Sequence, residues 1–252
     1  MIEIINLCKN FGTHKVLDNL GLTINTGETT VIIGRSGCGK TVLLRHIIGI
    51  FRPDFGQVII DGKDITKLRG RELNDIRMKF GMLFQGSALF DSLSVWENVA
   101  FGLLEHYNKR KSAIMDRVRE CLSLVGLEGV ENFKPAELSG GMRKRVGLAR
   151  AICMKPEIIL YDEPTTGVDP IMGDAINNLI LELHDKLKVT SIAVTHDMTS
   201  AYKIADRIAM LYNGKIIALG TPEEIRDTKD PIVRQFVYGE AEGPITNTRK
   251  IE

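Results

Sequence analysis

The eight residues GRSGCGKT, from Gly34 to Thr41, limit what this chain can fold into more than any other feature. They fit the spacing G-x-x-x-x-G-K-[ST], and they lie between an apolar run, TTVII, and a segment with helical apolar spacing, TVLLRHIIGI. Gly34, Gly37 and Gly39 permit backbone angles that turn successive N–H groups toward one point. A helix that starts at that point adds the positive end of its dipole, so the loop binds phosphate. The fold must therefore bring a strand to an end where a helix begins. Arg35, Ser36, Cys38 and the three glycines form the loop, Lys40 is placed to bridge the β- and γ-phosphates, and Thr41 is placed to ligate Mg²⁺. Cys38 occupies a variable position of the motif and is expected to be passive.

A second apolar run, IILYDE (158–163), ends in two acids at the carboxyl edge of a strand, where ligands bind in open α/β sheets. Adjacent carboxylates at a strand end are commonly just solvated. Downstream of a phosphate loop the chemical reading is preferred: Asp162 holds Mg²⁺ and Glu163 polarises the attacking water. SIAVTHD repeats the pattern and sets His196 at the end of its strand, unlike His14, His46, His106 and His184, which are expected to be structural. LSGGMRKR (138–145) is a second anion-binding pattern. Ser139 caps a helix, and Gly140 and Gly141 leave its first N–H groups accessible. Arg143, Lys144 and Arg145 then fall in the early turns, where cations oppose the dipole and the plain expectation is a solvated basic face.

The short runs 2–8, 20–24 and 29–34 read as strands of a small antiparallel sheet, followed by a helix over 41–50 and a strand at 57–62. Between about 86 and 155 the segments SVWENVAFGLLEH, SAIMDRVRECLSLVGL and SGGMRKRVGLARAICM read as three amphipathic helices, an inserted helical subdomain. Strands EIILYDE, TSIAVTH and RIAMLYNG then alternate with helices at 170–187 and 197–205. That alternation implies a mostly parallel sheet covered on both faces. The expected division is a nucleotide-binding domain over 1–238 and a polar, mobile or partner-bound tail over 239–252.

Composition removes other classes. With 33 Lys plus Arg against 32 Asp plus Glu, the net charge of +1 argues against a nucleic-acid binder. The longest charge-free stretch is the eleven residues Phe80 to Phe90, against the ~20 a membrane-spanning helix needs. The start, MIEIINLCKN, lacks the pattern of a signal peptide, so a cytoplasmic protein is expected. Cys8, Cys38, Cys121 and Cys153 show no metal-site spacing and read as isolated reduced thiols.

Taken in order, GRSGCGKT, Gln85, LSGGM, ILYDE, GVDP and His196 resemble the nucleotide-binding subunit of an ATP-binding cassette (ABC) transporter over roughly residues 2–225. The resemblance implies a phosphate-loop NTPase with a RecA-like parallel core, an antiparallel β subdomain and an inserted helical subdomain. It implies two copies joined head to tail, each ATP held between the loop of one chain and Ser139, Gly140 and Gly141 of the other. By the same resemblance Phe11 stacks on adenine, Gln85 senses the γ-phosphate and Mg²⁺, and Asp169 crosses the dimer. An ordinary core aromatic remains the alternative for Phe11.

Two departures narrow the group: Met142 stands where most families have Gln, and the crossing loop reads GVDP. With FGMLFQGSALFDSLSVWENVAFGL and the EGPI near the end, the chain is similar to the ATPases of Mla-type and Mce-associated phospholipid transporters. That likeness implies a multi-pass membrane permease, an Mce-domain lipid-binding protein, a small STAS-domain regulator, and a place on the cytoplasmic face of the inner membrane. Gly86 to Trp96 would receive a permease helix, with Leu89, Phe90, Leu93 and Trp96 as the apolar contacts. Two rivals share the ATPase motifs: a soluble ABC ATPase of iron–sulfur cluster assembly, and an importer subunit for amino acids or other small polar solutes.

Overall fold

β1 (Ile2–Phe11), β2 (His14–Ile24), β3 (Thr29–Ile33), α1 (Lys40–Ile47), β4 (Phe55–Ile60) and β5 (Lys63–Asp64) open the computed structural model, which describes residues 1–106 and 110–247. Next come α2 (Gly70–Arg77), β6 (Phe80–Leu83), α3 (Val95–His106), α4 (Lys111–Leu124), α5 (Gly140–Cys153), β7 (Ile158–Asp162), α6 (Pro170–Leu187) and β8 (Thr190–Thr195). Then follow α7 (Met198–Ile204), β9 (Arg207–Tyr212), β10 (Lys215–Gly220), α8 (Pro222–Arg226), α9 (Pro231–Tyr238) and α10 (Pro244–Asn247). Two compact units divide the chain, Met1–Leu68 with Val194–Glu252, and Arg69–Ala193.

In the first unit β2, β1, β4 and β5 form the antiparallel sheet in that order. Its polar and apolar residues alternate, as a sheet with one solvated face requires. Gly56 in β4 lies so close to β1 that a side chain there would sit 2.3 Å from the carbonyl of Asn6. β3 does not join this sheet, contrary to the expectation from its neighbours in sequence. It pairs in parallel with β9, from Thr30 opposite Arg207 to Ile33 opposite Met210, and β9 pairs antiparallel with β10. The physical reason is burial: all five residues of TTVII are inside, which a one-sided sheet cannot provide. α1 ends at Ile47, with Gly49 at φ 72 turning the chain away before Ile50.

The second unit places β6 parallel to β7, Phe80 opposite Ile158 through Leu83 opposite Tyr161, with β8 next to β7. The three helices expected between 86 and 155 are α3, α4 and α5, and they pack on one another. Their shared core includes Val99, Leu103, Val118, Leu122, Leu148 and Ile152. α5 also presses on β6, where a side chain at Gly81 would meet the carbonyl of Ala151 at 2.3 Å. Cys121 and Cys153, read from sequence as isolated, are neighbours in this core. Their hydrogen bond and burial push the Cys153 thiol above its ordinary value, while the same bond draws Cys121 down.

Elements α2, β6, β10, α8, α9 and α10 are not assigned from the sequence, although Thr221-Pro222 with Glu224 forms a capping box for α8, and Asp230-Pro231 and Gly239 bound α9. The stretch after Gly239 folds back rather than trailing free, up to Asn247. The Ile245 N–H donates to Gln235 Oε1 at 2.7 Å, and Gln235 Nε2 donates to Thr246 Oγ1 and to the Glu240 carbonyl, each at 3.2 Å. Residues 248–252 of the expected tail lie outside the described residues. No helix among the described residues is long and apolar enough to cross a membrane.

One polar residue organises the segment between β6 and α3. Asn98, fully buried in α3, accepts from the Phe90 N–H at 2.8 Å and donates to the carbonyls of Phe90, Leu93 and Ser94 at 3.1, 3.2 and 3.0 Å. It pins the loop that presents Phe90 against Phe101, ring centres 4.8 Å apart. Replacing it with Leu removes its bonds to the Phe90 N–H and the Leu93 carbonyl, while the Phe90 and Ser94 carbonyls keep the N–H groups of Leu93 and Asn98. Leaving two polar groups of a packed loop unpaired costs roughly 2–4 kcal/mol. Asn98→Leu is therefore expected to lower the melting temperature by about 5–10 °C, read by calorimetry.

Candidate active site

The first unit holds the phosphate loop. Buried β3 delivers the chain to Gly34, where a side chain would lie 2.5 Å from the Leu211 carbonyl, so only glycine fits. Gly37 and Gly39 have φ of 79 and 107, the left-handed values that turn the loop. Gly39 is the residue that caps α1, and no side chain takes the cap position. The first turn of α1 holds no acid that would repel an anion. Lys40 is buried and folded back over the loop, its Nζ donating to the carbonyls of Gly34 at 2.7 Å and Arg35 at 3.2 Å. The ammonium thus closes over the loop. Arg35 and Ser36 are exposed, Cys38 is half-buried, and Thr41 is the second residue of α1.

Beside the loop is a cleft of about 370 Å³ lined by His14, Lys15, Val16, Gly37, Cys38, Asn213 and Gly214. It is held by the turn between β9 and β10, whose Gly214 carbonyl accepts from the Asp18 N–H at 2.9 Å. Phe11 ends β1 and pairs with His14 across the hairpin. It is 46% exposed, which rules out the core-aromatic alternative. Its ring touches Phe51 edge-on at 5.7 Å. His196 follows the buried β8 and is itself exposed. The next residue, Asp197, caps α7 by accepting from the N–H groups of Thr199 and Ser200, so the histidine is delivered by a short, fixed turn.

The second unit holds the acids and the anion-binding helix. β7 is buried throughout and ends at Asp162, followed by buried Glu163. Glu163 has φ of 48, a left-handed value that a glutamate adopts only when its surroundings hold it there. Thr166 does so in part, its hydroxyl donating to Glu163 Oε2 and its N–H to the Glu163 carbonyl, both at 3.2 Å. Ser139 caps α5 as expected, its Oγ accepting from the Met142 N–H at 3.2 Å. Gly141 sits against Met172 of α6, close enough that a side chain would meet its sulfur at 2.7 Å. Asp169 is exposed and caps α6 by accepting from the Met172 N–H at 3.0 Å. Gln85 is exposed, and its carbonyl accepts from a residue that sequence reasoning misplaced.

That residue is Lys144, expected on a solvated basic face and found 5% exposed. Its Nζ donates to the Gln85 carbonyl at 2.5 Å and to the Glu163 carbonyl at 3.3 Å. Burial pushes its pKa below the ordinary lysine value, against the opposing pull of Asp162 and Glu163. Nothing in the run RKR distinguishes the middle cation from its neighbours. Only the packing of α5 decides which one turns inward.

The Thr41 hydroxyl in the first unit, and the Asp162 carboxylate and Gln85 amide oxygen in the second, are each hard donors of the kind Mg²⁺ takes. Asp162 is also buried at its strand end. The donor types of these residues fit the ion.

A sequence model of the ABC transporter family matches residues 17–166. This chain belongs to the ABC transporter family. It is 44% identical over 244 residues to a protein of Mycobacterium tuberculosis H37Rv named probable ribonucleotide transport ATP-binding protein mkl, covering 97% of this chain and 68% of that one. It is 43% identical over 245 residues to the intermembrane phospholipid transport system ATP-binding protein MlaF of Haemophilus influenzae, covering 97% and 93%. Among solved structures, the ATP-binding cassette MJ0796, in a dimeric post-hydrolysis state bound to ADP and Pi, superposes with a TM-score of 0.81 at 34% identity, covering 88% of this chain and 99% of that one. The fold is accordingly that of an ABC cassette, and the family is one of nucleotide-binding ATPases that drive transport.

Removing the loop ammonium deletes charge-assisted bonds to phosphate of about 1.5–3 kcal/mol. Lys40→Ala is expected to weaken ATP binding about 10- to 100-fold with the fold retained. Equilibrium binding of a fluorescent ATP analogue, with circular dichroism alongside, checks it.

Proposed function

We propose that this chain is the ATP-hydrolysing subunit of an ABC system that moves phospholipid between membranes. The observation that carries the reading is the 43% identity to MlaF, which extends over 93% of that protein. Two sequence features favour the same group: Met142 in the signature, and the apolar segment after Gln85. A second reading, ribonucleotide as cargo, rests on the name of the mycobacterial relative at 44% identity. Identity alone does not separate the two, because the shared motifs touch ATP and not the cargo.

In the proposed cycle two copies join head to tail. Phe11 stacks on adenine, and the loop from Gly34 to Gly39 with Lys40 and Thr41 binds the phosphates. Ser139, Gly140 and Gly141 of the second copy face the γ-phosphate, and Asp169 crosses between copies. Thr41, Asp162 and Gln85 would hold Mg²⁺, which would neutralise charge on the phosphate oxygens. Glu163 accepts a hydrogen bond from water and aims it in line with the γ-phosphoryl group. His196 and Lys40 stabilise the charge that develops there. Catalysis of this kind is mostly positioning and electrostatics, which suits a site built on buried strand ends.

The segment from Gly86 to Trp96, at the start of the helical part, is the proposed contact with the permease. Phe90 and Phe101 support this: the pair stacks and stays exposed, at 45% and 38%, where a soluble surface has no use for two aromatic rings. The partners proposed are a multi-pass permease, an Mce-domain lipid-binding protein and a STAS-domain regulator. Through the permease the chain would sit on the cytoplasmic face of the inner membrane.

Glu163→Gln is expected to retain ATP binding and to hydrolyse at least about 100-fold more slowly. Turnover within a few-fold of the parent would remove Glu163 from the role. For cargo and partners, the tagged chain extracted in mild detergent is expected to co-purify with a permease, an Mce-domain protein and bound phospholipid, identified by mass spectrometry. Bound ribonucleotide in their place would favour the second reading, and recovery with cluster-assembly proteins would refute both. In the same assay Leu89→Ser with Phe90→Ser should release the permease and leave ATP binding intact.

A further inference from the structure

α5 reaches the loop after Gln85 at three positions spaced three residues apart, on adjoining parts of one face. Lys144 binds the carbonyls of Gln85 and Glu163. Gly147 has no side chain, and a Cβ there would stand 2.8 Å from Leu83 Cδ1 and 3.4 Å from Ser87 Cβ, so the helix lies hard against the loop. Arg150 donates from Nη1 to the Ala88 carbonyl at 2.6 Å and from Nη2 to the Ser87 carbonyl at 2.5 Å. Ser87 and Ala88 have φ of 62 and 45, and Glu163 has φ of 48. Each is left-handed without being glycine, a conformation that persists only where neighbours over-determine it. The two cations of α5 hold all three.

We infer that Lys144 is a positioning residue, whose buried ammonium clasps the peptide carbonyls of Gln85 and Glu163 so that the segment after Gln85 and the water-aiming carboxylate shift as one body. A buried ammonium is costly unless its donors are satisfied and opposite charge is near. Asp162 and Glu163 supply the charge, and the donor condition is met only while the two carbonyls stay together. A displacement of Gln85 therefore either drags the Glu163 peptide with it or breaks a buried charge-assisted bond. Arg150 extends the coupling to Ser87 and Ala88, so this one helix face links the loop after Gln85 to Glu163 within a single chain. The inference rests on the roles proposed above for Gln85 and Glu163.

The test compares Lys144→Met, which keeps the length of the side chain and loses its donors, with Lys144→Arg, which restores cationic donors, in the full chain purified with its membrane partners. Misplacing a catalytic group by about 1 Å costs on the order of 100-fold, so Lys144→Met is expected to lower kcat about 10- to 100-fold. KM and ATP affinity should stay within about twofold, and Lys144→Arg should recover most of the loss, since the lesion is in aim and not in binding. A double-mutant comparison supplies the readout that a merely structural lysine would not move. In a Glu163→Gln background the Lys144→Met change should have little further effect on kcat.

Three results would overturn the inference: unchanged kcat in Lys144→Met, an equal fall in kcat with and without Glu163→Gln, or a loss of kcat matched by loss of ATP affinity. Normal turnover of Glu163→Gln alone would overturn it differently, by placing the fault in the role of Glu163. If Lys144→Met does not fold, Lys144→Gln takes its place, with the same kcat loss expected from its shorter, uncharged side chain.

Discussion

Burial on both faces is the constraint from which this structure follows. Every residue of β3, β7 and β8 is inside, so none of the three has a solvated face on which to carry polar side chains. Polar chemistry is forced to the ends, where the backbone leaves the sheet and groups regain access to solvent and ligand. β3 ends at Gly34 and the phosphate loop, β7 at Asp162 with Glu163, and β8 at Thr195 with His196. Each functional residue then inherits the rigidity of a buried strand through no more than a turn. That rigidity is what a reaction governed by positioning requires.

The second unit shows how the apolar core is joined to polar control. α5 buries Val146, Leu148, Ala149 and Ile152 among its neighbours, which supplies the bulk of its attachment. Its glycines set the distance: Gly147 meets the loop after Gln85, and Gly141 meets Met172. Its cations then use that closeness to hold carbonyls that no sheet partner satisfies. Asn98 does the same work from α3 for the carbonyls between Phe90 and Ser94. The loop between β6 and α3 is thus ordered by side chains of two helices, which keeps Phe90 and Phe101 exposed without making their backbone mobile.

Motifs whose geometry is local were legible in the amino-acid order. The phosphate loop, the cap at Ser139, the acids after ILY and the three helices between 86 and 155 depend on neighbours within a few residues, so spacing alone identifies them. Phe11, β3 and Lys144 were not decided that way. Phe11 is equally compatible with core and surface until the β1–β2 hairpin is closed. β3 has the composition of either sheet until β9, more than 170 residues later, claims one edge. Lys144 sits in RKR with no local mark, and only the approach of Gln85 and Glu163 to α5 makes it the buried member.

By itself, then, the sequence determined that a glycine loop of phosphate-binding pattern joins a strand to a helix, that acids and a histidine follow buried strands, and that a helical insert separates the motifs. It could do so because glycine angles, helix caps and apolar periodicity act over a few residues. Tertiary structure decided which cation is buried, which left-handed carbonyls it holds, that the stretch to Asn247 packs onto Gln235, and that Cys121 meets Cys153. Those outcomes depend on burial and on polar groups meeting across long separations, where the cost of an unsatisfied buried group selects the partner and no local pattern records the choice.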